Sequence, residues 1–162
     1  MDFFDAKYIT ESPRNETLFG LVDDGQLACS TTKNASSWIA VVKNRQGKKV
    51  QFVPVDHNIQ VFVDGNERSM CDGMLYDLDR SWLVFVEMKE QVGEWMRDAR
   101  LQLESTLEIF KENHDAEKFH YRFAYAANRK HPHFQFSQKQ VMQEFYNQYK
   151  FRLLFQNNID VK

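Results

Sequence analysis

Ser81-Trp82-Leu83-Val84-Phe85-Val86-Glu87-Met88-Lys89 decides how this chain is read. From Trp82 to Val86 the side chains are apolar without interruption, the pattern of a strand buried on both faces. The run ends abruptly in an acid and a lysine. Glu87 and Lys89 are two positions apart, so on a strand they project from the same face. A carboxylate placed directly behind such a strand is costly unless it is partnered. That makes this strand end the first place to look for chemistry.

Working outward, residues 70–76 form a second strand, joined to the first by the polar connection 77–80. As an antiparallel pair, the two strands bring their far ends together. Asp72 begins one and Glu87 ends the other, fifteen residues later. Further upstream, 38–42 and 50–55 read as strands around a turn at 44–48, which suggests a β-hairpin. Residues 59–63 extend it or make another short strand, and Asp64-Gly65-Asn66 signals a turn. Residues 1–34 fit a short helix or a hairpin equally well.

Downstream, a helix is expected over 92–110. Val92, Trp95, Ala99, Leu103, Leu107 and Phe110 fall on one apolar stripe. A strand at 118–126 follows, then a loop at 128–134 containing Pro132. Ser137 is the expected N-cap of a helix over 138–150, and 152–155 reads as a last strand. The order predicts an α/β (α+β) fold, a single domain over 1–162 with a mixed central sheet flanked by helices.

The 162 residues suffice for a substantial core, and 14 Phe, 6 Tyr and 3 Trp can fill it. No apolar run is long enough to span a membrane, and the acidic start Met-Asp-Phe-Phe-Asp is unlike a signal peptide, so a cytoplasmic protein with no membrane partner is expected. Cys29 and Cys71 fit no Cys-x-x-Cys motif and read as buried thiols. The net charge of −2 hides an asymmetry: residues 111–162 hold nine Lys/Arg against five Asp/Glu. A basic face there suits phosphates, and a solvated surface explains it equally.

Asp72 and Glu87 are apt ligands for a hard divalent cation such as Mg²⁺, which takes oxygen donors and leaves room for a phosphate. Lys89 would then sit beside the scissile phosphate, and the Met88 carbonyl is a further possible ligand. This arrangement resembles the PD-(D/E)xK nuclease superfamily, with its restriction-endonuclease-like fold. Asp72 stands where the family has its first motif aspartate, and Glu87-Met88-Lys89 stands as its (D/E)xK. The helix with Gln102, Leu103 and Thr106 looks like the helix that follows the motif, which in some branches supplies a Gln near the metal. The literal Pro before the aspartate is Cys71 here. Glu11 and Glu16 are candidates for the acid that the family's first helix often adds.

The resemblance covers about residues 50–127, a nuclease-like core behind a β-rich N-terminal extension. It implies hydrolysis of nucleic-acid phosphodiesters, DNA before RNA, with Mg²⁺ or Mn²⁺, in DNA processing or defence against foreign DNA. A homodimer or a larger protein partner fits a chain with no separate recognition domain. The alternative is a non-catalytic nucleic-acid-binding or regulatory subunit on the same fold.

The tripeptide alone carries little weight, because Asp5-Ala6-Lys7 matches it too, without a buried strand before it. Each residue also has a plainer reading. Asp72-Gly73 is a common turn pair, Glu87 and Lys89 suit a solvated strand end, and Gln102 suits the edge of an apolar stripe. Asp56 is better read as a turn residue than as a ligand. His131 and His133, either side of Pro132, read as exposed loop residues.

Overall fold

The computed structural model describes residues 1–130 and 138–162. The strands are β1 (Leu18–Asp23), β2 (Ala28–Thr31), β3 (Ala40–Lys43), β4 (Val50–Pro54), β5 (Phe62–Val63), β6 (Asn66–Glu67), β7 (Gly73–Asp77) and β8 (Trp82–Lys89). After helix α1 (Met96–Asn113) come β9 (Tyr121–Asn128), α2 (Lys139–Tyr149), β10 (Arg152–Phe155) and β11 (Asn158–Asp160). The expected loop at 128–134, His131, His133 and the Ser137 cap lie wholly or largely outside the described residues.

The central sheet has the order β10-β9-β8-β7-β4. It is mixed: β4, β7 and β8 form an antiparallel meander, whereas β8, β9 and β10 are parallel. Parallel neighbours need a crossover, and α1 and α2 supply the two crossovers. Every residue of β8 from Trp82 to Met88 is buried, as its apolar run predicts. The alternation of β8 separates two cores. Leu83 and Phe85 point to the helices, packing with Ala99, Leu103, Leu107 and Phe110 of α1. Trp82, Val84, Val86 and Met88 point the other way, onto Phe19, Leu21, Ala40 and Val42 of a second sheet ordered β11-β3-β1-β2. The result is a mixed α+β fold in three layers.

Several expectations need correction. Segments 38–42 and 50–55 do not form a hairpin: β3 pairs with β1 and β11, and β4 pairs with β7 in the other sheet. The turn between them is a joint that hands the chain from one layer to the next. Its pivot is Asn44, fully buried, whose Nδ2 donates to the carbonyls of Glu16 (3.2 Å) and Lys48 (2.8 Å), while its Oδ1 accepts from the Lys48 N–H. Residues 18–31 contain the hairpin option, β1 with β2. Helix α1 starts at Met96 rather than at 92. Gly93 has φ 103°, Trp95 takes the N-cap position, and Val92 is 74% exposed instead of joining the stripe. Cys29 is exposed, because β2 turns it away from the neighbours of Ala28 and Ser30, whereas Cys71 is buried as expected.

Two turns set the site's position. Asp77 is buried at the β7–β8 hairpin, where its carboxylate accepts from the N–H groups of Ser81 (2.8 Å) and Trp82 (2.9 Å) and from the Ser81 hydroxyl (2.6 Å). This fixes the register Gly73 opposite Val86. Gly73 itself is packed under Phe52: a Cβ there would lie 2.4 Å from the ring. Among the described residues no helix is long and apolar enough to cross a membrane.

Replacing Asn44 by Ala removes all three side-chain hydrogen bonds of the joint and leaves partly buried backbone partners unpaired. The expected cost is about 2–4 kcal/mol in urea denaturation. A cost near zero would mean that the joint does not hold the two sheets together.

Candidate active site

The β7–β8 register, extended one pair outward, sets Asp72 opposite Glu87. Asp72 shares its face with Met74 and Tyr76, and Glu87 shares its face with Leu83 and Phe85, so both carboxyls point to the α1 side. They meet there. The two side chains are hydrogen-bonded to each other, and Asp72 Oδ2 also accepts from the Met88 N–H at 2.6 Å. Lys89 Nζ lies 3.1 Å from Glu87 Oε2. From α1, Gln102 turns its amide nitrogen to the same carboxyl in the orientation that satisfies both groups, 2.8 Å from Oε1 and 2.5 Å from Oε2. The structure therefore brings Asp72, Glu87, Lys89 and Gln102 together. Met88 joins through its backbone N–H, while its side chain packs between the sheets.

The solvated-strand-end reading does not fit this geometry. The Glu87 side chain is only 3% exposed and that of Lys89 16%, so the ammonium stands between the acid and the solvent. The turn reading of Asp72-Gly73 fails as well, because Gly73 is the first residue of β7 and is paired with both β4 and β8.

Burial dominates the electrostatics. It pushes the Asp72 carboxyl up to about 6, against the hydrogen bonds from Met88 and Glu87 that favour its charged form. Burial, and then the neighbouring Asp72 charge, raise Glu87 well above the usual carboxylate range, and Lys89 offsets this only in part. Both shifts favour a proton shared between the two carboxyls. A divalent cation can replace that proton, and two carboxylates plus waters suit Mg²⁺ or Mn²⁺. Among the described residues no group of three or more His, Cys, Asp or Glu gathers for a metal.

The other acids are engaged elsewhere. Asp56 bears on Asp72 through its charge, but its own carboxylate lies 3.3 Å from His57 Nε2. Glu11 accepts from the Ser30 N–H and hydroxyl, and Glu16 pairs with Arg14. Neither reaches Glu87. Among the described residues, the only helical turn before β1 is the short 3₁₀ segment Ala6–Tyr8, which contains most of the tripeptide match at 5–7.

Two supporting residues have roles that the sequence alone does not specify. Thr106 is fully buried; its Oγ1 accepts from the Cys71 N–H at 2.7 Å and donates to the Gln102 carbonyl at 2.9 Å. It ties the α1 turn that carries Gln102 to the residue before Asp72. Asn128, also fully buried, is the β9 partner of Lys89 and donates to the Gln91 carbonyl at 2.8 Å. It shapes the exit of β8. A threonine within an apolar stripe and an asparagine at a strand end look ordinary until their partners are known.

No protein-family model matches the chain, and no curated protein or solved structure does either.

Keeping a proton on the pair costs stability. The folded state binds more protons than the unfolded chain from about pH 4 upward through pH 6, so this contribution is lost as pH rises. Glu87→Gln is therefore expected to raise the thermal midpoint at pH 7.5 in EDTA, by about 2–4 °C for each kcal/mol relieved in a chain of this size, and the gain narrows toward pH 4. A loss of stability in this variant at every pH would identify the acid pair as a structural clamp.

Proposed function

We propose that this protein is a divalent-metal-dependent nuclease that hydrolyses nucleic-acid phosphodiesters, with Asp72 and Glu87 holding the metal and Lys89 facing the substrate. One observation carries the reading: two adjacent, buried carboxyls that cannot both be charged without help, capped by a lysine at the solvent boundary. A purely structural pair gains nothing from that cost. The connectivity supports a restriction-endonuclease-like core, since the β7–β8 hairpin carrying the acids is followed by α1 and then by parallel β9.

Mg²⁺ or Mn²⁺, when bound, supplies a Lewis acid for a phosphoryl oxygen and lowers the pKa of a water. The chain's own groups do the rest. Asp72 and Glu87 supply oxygen ligands from two neighbouring strands, and the Met88 carbonyl is a further candidate ligand. Lys89 leaves its contact with Glu87 to meet the phosphodiester and to stabilise the charge that develops on it. Gln102 is a positioning residue: anchored through its own backbone carbonyl by Thr106, it holds Glu87 from the α1 side. A water oxygen bonds to phosphorus, the ester P–O bond breaks, and the departing oxygen takes up a proton. DNA is the favoured substrate, in DNA processing or defence against foreign DNA.

A second reading, a non-catalytic nucleic-acid-binding or regulatory subunit, is favoured by the absence of a third acid beside the pair among the described residues.

Cleavage of labelled DNA and RNA with Mg²⁺ or Mn²⁺ separates the two. Lys89→Ala and Glu87→Ala are each expected to lower the rate at least about 100-fold, with metal binding by calorimetry abolished in Glu87→Ala and kept in Lys89→Ala. Equal rates in all three proteins sink the nuclease assignment. Metal binding without cleavage by wild type favours the second reading.

A further inference from the structure

The opposite end of the central sheet carries a different surface. Around the start of β9 and β10 lies a hollow of about 580 Å³, lined by His120, Tyr121, Arg122, Phe123, Tyr146, Lys150, Arg152 and Lys162. Tyr146 and Arg152 also line a second hollow of about 440 Å³, which adds Lys139. Among the described residues, no carboxylate side chain lines either one. Among the same residues, none of Arg122, Lys139, Lys150, Arg152 and Lys162 takes part in a side-chain ion pair.

The cations are interleaved with rings. Lys150 Nζ lies 5.7 Å from the centre of the Tyr146 ring, and Lys162 Nζ lies 6.0 Å from that of Phe123. Tyr121 is 39% exposed and Tyr146 41% exposed. In a chain of net charge −2, this is a concentrated positive field with flat apolar faces in it.

We infer that this β9–β10 surface binds single-stranded nucleic acid, with the backbone phosphates on Lys150, Arg152 and Arg122 and unpaired bases stacked on Tyr121 and Tyr146. The cations alone would suit any polyanion. The exposed rings choose among them, because only unpaired bases offer faces that stack on rings. A duplex keeps its base faces to itself, and an acidic peptide has none.

By the register of β8 with β9, Tyr121 lies five residues along the strand from the partner of Glu87, about 17 Å at the usual rise. A strand held on this surface is substrate only if the Asp72–Glu87 site cleaves it, and that part rests on the nuclease reading. The binding does not.

The test is fluorescence anisotropy with a fluorescein-labelled single-stranded DNA of about 20 nucleotides, in EDTA so that nothing is cut, over a range of salt concentrations. Lys150→Glu combined with Arg152→Glu is expected to weaken binding at least tenfold at low salt. It should also lower the salt slope by about 1.4, the change expected when two phosphates are no longer neutralised. Tyr121→Ala combined with Tyr146→Ala should weaken binding about fivefold or more with the slope unchanged. All four residues are exposed, so folding is spared.

Unaltered affinity and slope in the charge-reversed variant overturn the inference. So does equal affinity of the wild type for a blunt duplex, or equally good competition by poly-glutamate. Binding by wild type that the patch variants lose, with no cleavage under any metal, leaves this surface assigned and removes only the nuclease reading. Cleavage that fails in Lys89→Ala, with binding unaltered in the patch variants, does the reverse.

Discussion

Strand β8 is paired on both edges and covered on both faces, and most of the structure follows from having to bury it that way. Its β7 edge requires the hairpin that Asp77 closes, and its β9 edge requires a crossover long enough to be a helix. One face needs α1; the other needs a second sheet, which the first forty-odd residues largely provide. A strand so enclosed has its polar freedom only at its ends. At one end Asp77 absorbs three donors and becomes part of the hairpin. At the other the chain places Glu87 and Lys89, still enclosed, and has to accommodate them with Asp72 and Gln102.

The two ends of β8 show how differently a buried carboxylate can be treated. Asp77 is held mainly by two backbone N–H donors, with the Ser81 hydroxyl and, 4.0 Å away, Lys48 beside them, and it belongs to the turn. Asp72 has one backbone donor and faces another acid. Glu87 has a flexible lysine and a side-chain amide, both able to move away. Donors supplied by mobile side chains leave a site that can be re-ligated, whereas donors supplied by the backbone do not. That contrast, across one hairpin, separates an acid held by the turn from the acids of the candidate site.

The central-sheet elements downstream of 70 were legible because their signals are local. The apolar run of β8, the stripe of α1 and the pattern of 152–155 each specify an element from its own residues. The candidate site was legible for the same reason: a one-hairpin separation and an i, i+2 spacing leave little freedom. What was not legible depends on partners far away in the chain. Whether 38–42 and 50–55 pair is decided by β1 and β11, which take the two edges of β3, and β11 lies more than a hundred residues downstream. The first turn of α1 was overread because Val92 continues the stripe in sequence, while the positive φ of Gly93 breaks it in space. The side chains of Thr106 and Asn128 bond to backbone groups, and such partners have no residue type to betray them.

Gly73 has a wider consequence. The Phe52 ring occupies the space in which its Cβ would stand, so this glycine is held by a phenylalanine on the neighbouring strand rather than by the chemistry beside it. Divergent descendants of this chain could lose their carboxylates and still be unable to lose the glycine while the ring stays. Covariation between positions 52 and 73 would then trace the ancestry of the scaffold, and the persistence of acids at 72 and 87 would separately trace the history of the candidate site.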